Sequence, residues 1–169
     1  LIEVARASSL PTHGHPTALA AAASTALLVA WAVHHDAPRD YPVRLLHALR
    51  EMPGAGEIGA LIERVPAVLA DPPDDVLVAG VLGEAWTGDE AVASALYCFC
   101  RSPEDYRCTV LTGANTVGDS DSIACIAGAI SGAYNGIEAI PEHWRREVEH
   151  TAMLHEVAAD LLHARRRRQ

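Results

Sequence analysis

GDSDSIACIAGAISGAY, residues 118–134, places two aspartates one residue apart before a run made almost entirely of small side chains. Asn135 and Gly136 follow this run, and both tolerate the left-handed backbone that commonly ends a helix. A helix without bulky side chains can be approached closely by its neighbours. The stretch therefore predicts a central helix whose amino terminus carries two carboxylates.

The two aspartates, Asp119 and Asp121, allow two interpretations. Carboxylates at a helix start cap free backbone N–H groups and interact favourably with the helix dipole. One aspartate would suffice for capping, although spacing alone favours it. Two carboxylates beside the hydroxyls of Ser120 and Ser122 also form the cluster of hard oxygen donors that Mg²⁺, Mn²⁺ or Ca²⁺ takes.

Two glycines inside the same predicted helix favour the metal-binding interpretation. Gly128 and Gly132 lie four residues apart, and each costs roughly 1 kcal/mol relative to alanine in a helix interior. We expect one or both to face a neighbouring helix at close range, because the space they leave is then filled. Such packing would hold the amino terminus of the helix, and its two carboxylates, at a fixed point.

Five segments together resemble the ADP-ribosylglycohydrolase family, which also includes the dinitrogenase reductase-activating glycohydrolases. The family pattern is G-G-D-[ST]-D-[ST] opening a small-residue helix, then G-A-x-x-G and I-P-x-x-W, with a characteristic helix and a T-H-x-x-P loop upstream. The counterparts here are Gly118–Ser122, Gly132–Gly136, Ile140–Trp144, Gly88–Tyr97 and Thr12–Pro16. Val117 departs from the pattern, because the family usually has the first of two glycines there.

The resemblance implies an all-α fold, a compact multi-helix ADP-ribosylglycohydrolase-like domain. It implies a Mg²⁺-dependent hydrolase that removes ADP-ribose from modified protein side chains. ADP-ribose or an ADP-ribosylated protein is then the expected ligand. The resemblance further implies that Asp119, Asp121 and Ser122 bind metal, with two Mg²⁺ ions, or Mn²⁺, as the cofactor.

His13 and His15 are the expected substrate-binding residues. They flank Gly14 just before Pro16, a residue that is favoured in the first turn of a helix. Free backbone N–H groups at a helix start favour an anion, and an imidazole can add to that site. The family resemblance implies that this loop lines the ADP-ribose cleft.

Other motifs of the family are absent from the chain. The amino-terminal half of the family carries a G-D-x-x-G motif and a T-D-D run with further metal ligands, and neither occurs here; the chain begins at Leu1. We therefore expect residues 1–169 to be the carboxyl-terminal portion of a single domain that lacks its amino-terminal part. We expect that part to be a partner, to supply the general acid or base, and to be needed for activity, so the isolated chain should be inactive.

Composition narrows the class of protein. Half of the residues are hydrophobic and 21% are charged, as in a globular domain. The net charge of −9 argues against nucleic-acid binding, and we interpret the basic run Arg165–Arg168 as a solvated helix end.

The four cysteines form no C-x-x-C pair, so we expect reduced, mostly buried thiols in a cytoplasmic protein. Ala18–Val33 is uncharged but shorter than the roughly 20 residues that span a bilayer, so we expect a buried helix and no membrane.

The remaining chain also predicts helices. Asp75–Val81 is the best strand candidate, but its brevity and Gly80 argue against a strand. The predicted helices outside residues 118–134 are Leu1–Ala7, Ala18–Val33, Pro42–Glu51, Glu57–Leu69, Ala91–Arg101, Pro103–Leu111 and Pro141–Arg165, the last as one helix or two.

Two further hypotheses stay open on the sequence alone. The first is a catalytically silent protein of the same all-helical fold that acts in binding or structure; a T-D-D run in the absent half would argue against it. The second, independent of the resemblance, is a Mg²⁺-dependent hydrolase of a phosphorylated small molecule. Binding of ADP-ribose compared with other nucleotides would separate that hypothesis from an ADP-ribosylglycohydrolase.

Overall fold

The computed structural model describes residues 1–72 and 74–166, and within them the chain is helical, with no strand. Short 3₁₀ turns at Pro38–Asp40 and Ile137–Ala139 connect some of the helices. The helices are α1 (Ile2–Ser9), α2 (Pro16–Val33), α3 (Tyr41–Leu49), α4 (Ala55–Ile62), α5 (Val65–Ala70), α6 (Asp75–Leu82), α7 (Gly88–Arg101), α8 (Tyr106–Ala114), α9 (Ser120–Asn135), α10 (Glu142–Glu147) and α11 (Thr151–Arg166). The prediction of an all-α fold is confirmed.

The chain divides into two compact units. The first, Leu1–Ala139, contains α1 to α9, and the second, Ile140–Gln169, contains α10 and α11. In the second unit, the hydroxyl of Thr151 donates to the Val148 carbonyl at 2.7 Å, where the chain turns into α11. Arg167 and Arg168 of the basic run lie outside the described residues. That residues 1–169 belong to a single domain stays a prediction.

Helix α7 lies deepest in the first unit. Its residues 91–99 are all buried, whereas α9 buries one face, through Ile123, Ala127, Ile130 and Ser131. Helix α9 packs against α2, α7 and α8, as its small side chains predicted. The burial of α7 follows from its own sequence, because the run AVASALYCF offers apolar or small side chains on every face.

One segment differs from the helix that its sequence predicted, and the doubtful strand candidate is a helix. The single helix expected over Glu57–Leu69 is two helices, α4 and α5, with a turn at Glu63 and Arg64. Pro66 explains the division, because proline has no N–H to donate and fits only the first turn of a helix. The weak strand candidate forms helix α6, which begins at Asp75.

Helix α2 spans Pro16–Val33, with Pro16 in its first turn as the sequence indicated. Its 18 residues have a mean hydropathy of 1.6, so by length and composition alone it could cross a membrane. A core helix of a soluble protein has the same properties, and seven residues of α2 are buried within the protein. The expectation that no membrane is involved stays a prediction.

Fewer of the cysteines are buried than expected. All four cysteines are free thiols; Cys98 is buried, Cys100 is half-buried, and Cys108 and Cys125 are exposed. Burial raises the pKa of Cys100 to about 12, and its thiol lies 3.5 Å from the Pro38 carbonyl. The expectation of mostly buried thiols therefore holds for α7 and fails for α8 and α9.

Close packing between α8 and α9 uses glycine on both helices. A Cβ on Gly128 would lie 3.3 Å from Val110 Cγ2, and one on Gly132 would lie 3.5 Å from Tyr106 Cε2. Both glycines therefore face α8, as predicted. The tightest approach is at Gly113 of α8, where a Cβ would lie 3.0 Å from Ala124 Cα.

We predict opposite effects of alanine at two of these positions. Gly113→Ala should lower the free energy of unfolding by about 1–3 kcal/mol, because the clash is with the backbone of α9. Gly132→Ala should leave it unchanged or raise it by up to about 1 kcal/mol, since the added methyl makes an ordinary contact and alanine favours the helix. Urea unfolding measures both, and equal losses for the two variants would contradict this account of the packing.

Candidate functional site

A cavity of about 760 Å³ lies where helices α2, α7 and α9 begin. Thr17, Gly88 and Ser122 line it from the first turns of these helices. The free N–H groups and dipoles at helix amino termini favour negative charge. Three such termini around one cavity therefore create a site suited to an anionic ligand.

Asp119 and Asp121 have different roles at the start of α9. Asp119 is half-buried, occupies the cap position and lines the cavity, but its side chain makes no capping hydrogen bond. Asp121 is exposed, and its Oδ1 accepts from the backbone N–H of Ser122 at 2.8 Å. A side-chain hydrogen bond with Asp119, together with the bond from Ser122, lowers the pKa of Asp121. The capping interpretation thus accounts for Asp121 and leaves Asp119 unexplained.

The donor set at this helix start fits a hard cation in part. Two carboxyl groups two residues apart at one helix start can share a metal ion, and the Ser122 hydroxyl adds an oxygen at the cavity. Among the described residues, however, no three His, Cys, Asp or Glu side chains are grouped as a metal site. The chain therefore offers part of a coordination shell, and Mg²⁺ would complete six ligands with water or other groups.

A backbone contact holds Asp119 in place. Its N–H donates to the Glu84 carbonyl at 2.8 Å, in the loop before α7. Gly118 has a φ of +98°, and a Cβ there would lie 2.2 Å from the same oxygen. Val117, which replaces a glycine of the family pattern, is 44% exposed, so the loop tolerates its side chain.

The histidine loop reaches the same cavity. His13 and His15 both line it, together with Asp119 and Ser122 from a distant part of the sequence. His15 Nδ1 accepts from the N–H of Thr17 at 3.4 Å, so the proton of the neutral ring lies on Nε2. His13 Nδ1 lies 2.9 Å from the hydroxyl of Thr12.

Trp86 is a lining residue that the sequence analysis did not identify. Its side chain is 71% exposed, yet its indole N–H donates to Glu84 Oε2 at 2.9 Å and its backbone N–H donates to Glu90 Oε2 at 3.2 Å. The preceding residue, Ala85, has a φ of +64°, uncommon for a residue other than glycine. The aromatic ring is therefore held at the cavity although most of it faces solvent. Its position directly before the family-like segment Gly88–Tyr97 was the available signal.

Acidic side chains give the cavity its second electrostatic feature. Glu57 and Asp89 line it in addition to Asp119, and within the described chain no arginine does. Carboxylates oppose the binding of an anion that the helix termini favour. A bound cation would remove that conflict, which is a physical reason for a metal at Asp119.

The ADP-ribosylglycohydrolase family model matches residues 1–169. The chain belongs to the ADP-ribosylglycohydrolase family. Family membership explains why the aspartate motif and the histidine motif line one cavity, as the resemblance implied. The fold, the motifs and the match over the full printed sequence agree.

Several curated relatives of this chain carry the name ADP-ribosylhydrolase ARH3. The Xenopus tropicalis protein is 29% identical over 177 residues, covering 88% of this chain and 50% of that protein. The mouse protein is 37% identical over 82 residues, covering 43% of this chain and 22% of that protein. An uncharacterized protein of Archaeoglobus fulgidus is 37% identical over 86 residues, 50% of this chain and 27% of that protein. The chain thus spans at most about half the length of these relatives.

The loop contact at Asp119 predicts the effect of a single methyl group. Gly118→Ala should lower the free energy of unfolding by about 2–4 kcal/mol, because the new Cβ meets the Glu84 carbonyl and the positive φ disfavours alanine. Gly56→Ala is the control, since that glycine has no positive φ and no atom within 4 Å of an added Cβ. Calorimetry should show a loss for the first variant alone; a loss under about 1 kcal/mol would rule out the contact as described.

Proposed function

We propose that the chain forms the carboxyl-terminal part of a Mg²⁺-dependent hydrolase that removes ADP-ribose from modified protein side chains. One observation carries the proposal: Asp119 and the two histidines, His13 and His15, line a single cavity although more than 100 residues separate them. Family membership supports the same reaction class. The names of the ARH3 relatives support ADP-ribose as the group released.

The reaction breaks a bond to the anomeric carbon of ribose, where positive charge develops as the leaving group departs. Bound divalent metal would orient the ribose hydroxyls and lower the pKa of an attacking water. Asp119, Asp121 and Ser122 would hold that metal through oxygen.

The other wall residues would bind the nucleotide portion. The helix amino termini at Thr17 and Gly88 favour the diphosphate. His15 would donate from Nε2, because its Nδ1 is already an acceptor. Trp86 offers an exposed aromatic face on which a base can stack.

The proposed activity needs groups from outside the chain. Three oxygen-donor side chains cannot complete the shells of two metal ions, and no general acid or base is assigned among the described residues. The chain covers 50% of the Xenopus relative, and the remaining half of such an enzyme would supply these groups. The alternative, a catalytically silent binding protein, is less well supported, because the lining carboxylate and hydroxyl are present and named relatives are hydrolases.

Activity measurements test the proposal directly. In an enzyme that joins this chain to its amino-terminal part, Asp121→Ala should reduce Mg²⁺-dependent release of ADP-ribose from modified protein by at least about 100-fold. The fold should be unchanged, because Asp121 is exposed. Asp40→Ala is the control, since Asp40 is an exposed carboxylate outside the cavity. Normal activity and metal content in the Asp121 variant, or full activity of the 169-residue chain alone, would contradict this proposal.

Trp86 gives a second test that needs no turnover. ADP-ribose should quench the fluorescence of the protein, and Trp86→Leu should abolish the quenching and weaken binding about tenfold, as expected for the loss of one stacked base. Trp31→Phe should keep both, because Trp31 packs on Tyr41 and Arg44 instead. Ribose 5-phosphate, which has no base, should bind the Trp86 variant and the unchanged protein equally. Quenching that survives the loss of Trp86 would refute the stacking role.

A further inference from the structure

Glu57 is held at the cavity by a contact that requires glycine. It lies in the first turn of α4, and the preceding loop passes so close to α2 that a Cβ on Gly54 would lie 2.3 Å from the carbonyl carbon of Pro16. Gly54 also has a φ of +84°. The backbones of the two helix starts therefore touch directly, and this contact places the Glu57 side chain in the wall of the cavity.

A hydrogen bond orients the carboxylate. Glu57 Oε2 accepts from the hydroxyl of Thr17, which is only 7% exposed. The backbone N–H of Thr17 in turn donates to His15 Nδ1. No other described group donates a hydrogen bond to the Glu57 carboxylate, which leaves Oε1 free to accept a bond from a ligand in the cavity. Glu57 is therefore an exposed cavity residue whose carboxylate is oriented by one hydrogen bond and whose second oxygen can accept from a ligand.

The charge of Glu57 limits what it can bind. An ionised carboxylate accepts hydrogen bonds and cannot donate them, and it repels phosphate. Because ADP-ribose carries no cationic group, the groups of this ligand that can donate to Glu57 are its neutral hydroxyl and amino groups. We propose that Glu57 determines specificity by accepting a hydrogen bond from a hydroxyl or amino group of the nucleoside end of the ligand. This inference rests on the proposed ADP-ribose ligand and adds the residue that selects its nucleoside.

Binding measurements with matched ligands test this role. Glu57→Gln keeps the shape, but its single oxygen is needed by Thr17, so the amide would present N–H to the ligand. We expect this variant to bind ADP-ribose about tenfold more weakly by calorimetry, as for loss of a hydrogen bond to a charged group. Three analogues of ADP-ribose each lack one group of the adenosine: the 2′-hydroxyl, the 3′-hydroxyl or the exocyclic amine. For the analogue that lacks the group bound by Glu57, the variant and the unchanged protein should bind with equal affinity. Glu63→Gln, at the other end of α4 and outside the cavity, should bind all four ligands normally.

A purely structural role for Glu57 predicts a different pattern. If the carboxylate only ties α4 to α2, Thr17→Val should weaken ADP-ribose binding as much as Glu57→Gln, and the loss should be equal for every analogue. Either that pattern or normal ADP-ribose binding by Glu57→Gln overturns the inference, provided that the unchanged protein itself binds ADP-ribose. If the unchanged protein neither binds nor releases ADP-ribose, the proposed function fails, and this inference fails with it.

Discussion

The backbone hydrogen bond from Asp119 to the Glu84 carbonyl fixes the cavity around which the first unit is arranged. It joins the loop before α9 to the loop before α7, and Gly118 makes the approach sterically possible. The Glu84 side chain meanwhile holds the Trp86 indole. One residue therefore sets the position of an aspartate through its backbone and of a tryptophan through its side chain.

Two opposing electrostatic effects act on a ligand in the cavity. The amino termini of α2, α7 and α9 attract negative charge, and the carboxylates of Glu57, Asp89 and Asp119 repel it. A free phosphate ion would meet both effects at once. A ligand with an anionic centre and neutral, hydroxyl-rich ends can separate them, provided that a cation accompanies the carboxylate at α9. The carboxylates therefore favour a large, mixed ligand over a small anion.

Local sequence predicted the elements whose causes are local. Small residues and the Asn135–Gly136 stop predicted α9, and the structure ends that helix at Asn135 with Gly136 at a φ of +78°. Pro16 likewise begins α2, with His15 as its cap. The division of α4 from α5 was missed although Pro66 signals it, because the apolar pattern runs on through the turn. The all-α class followed both from such local signals and from the family resemblance, and it was predicted correctly.

The residues of the candidate site also differ in whether local sequence could predict them. The aspartate and histidine motifs could be found in the sequence, because their residue types and spacing are characteristic. Glu57 could not, since it reaches the cavity through a tertiary contact, Gly54 against Pro16. Trp86 was missed although its place two residues before the family-like segment Gly88–Tyr97 was a local signal, and the Glu84 bond that holds its indole is also local.

These contacts also bear on the choice between hydrolase hypotheses. A hydrolase of small phosphorylated molecules needs carboxylates and a metal. It has no use for the oriented indole of Trp86 before α7 or for the oriented acceptor Glu57 at the start of α4. Trp86 remains 71% exposed although two hydrogen bonds hold it, and the contact at Gly54 allows no side chain at that position. Features that are unfavourable for folding alone are expected where a ligand uses them. The proposed ADP-ribosyl ligand, with a base, two riboses and a diphosphate, would use each of these features, and this favours the proposal over the smaller substrate.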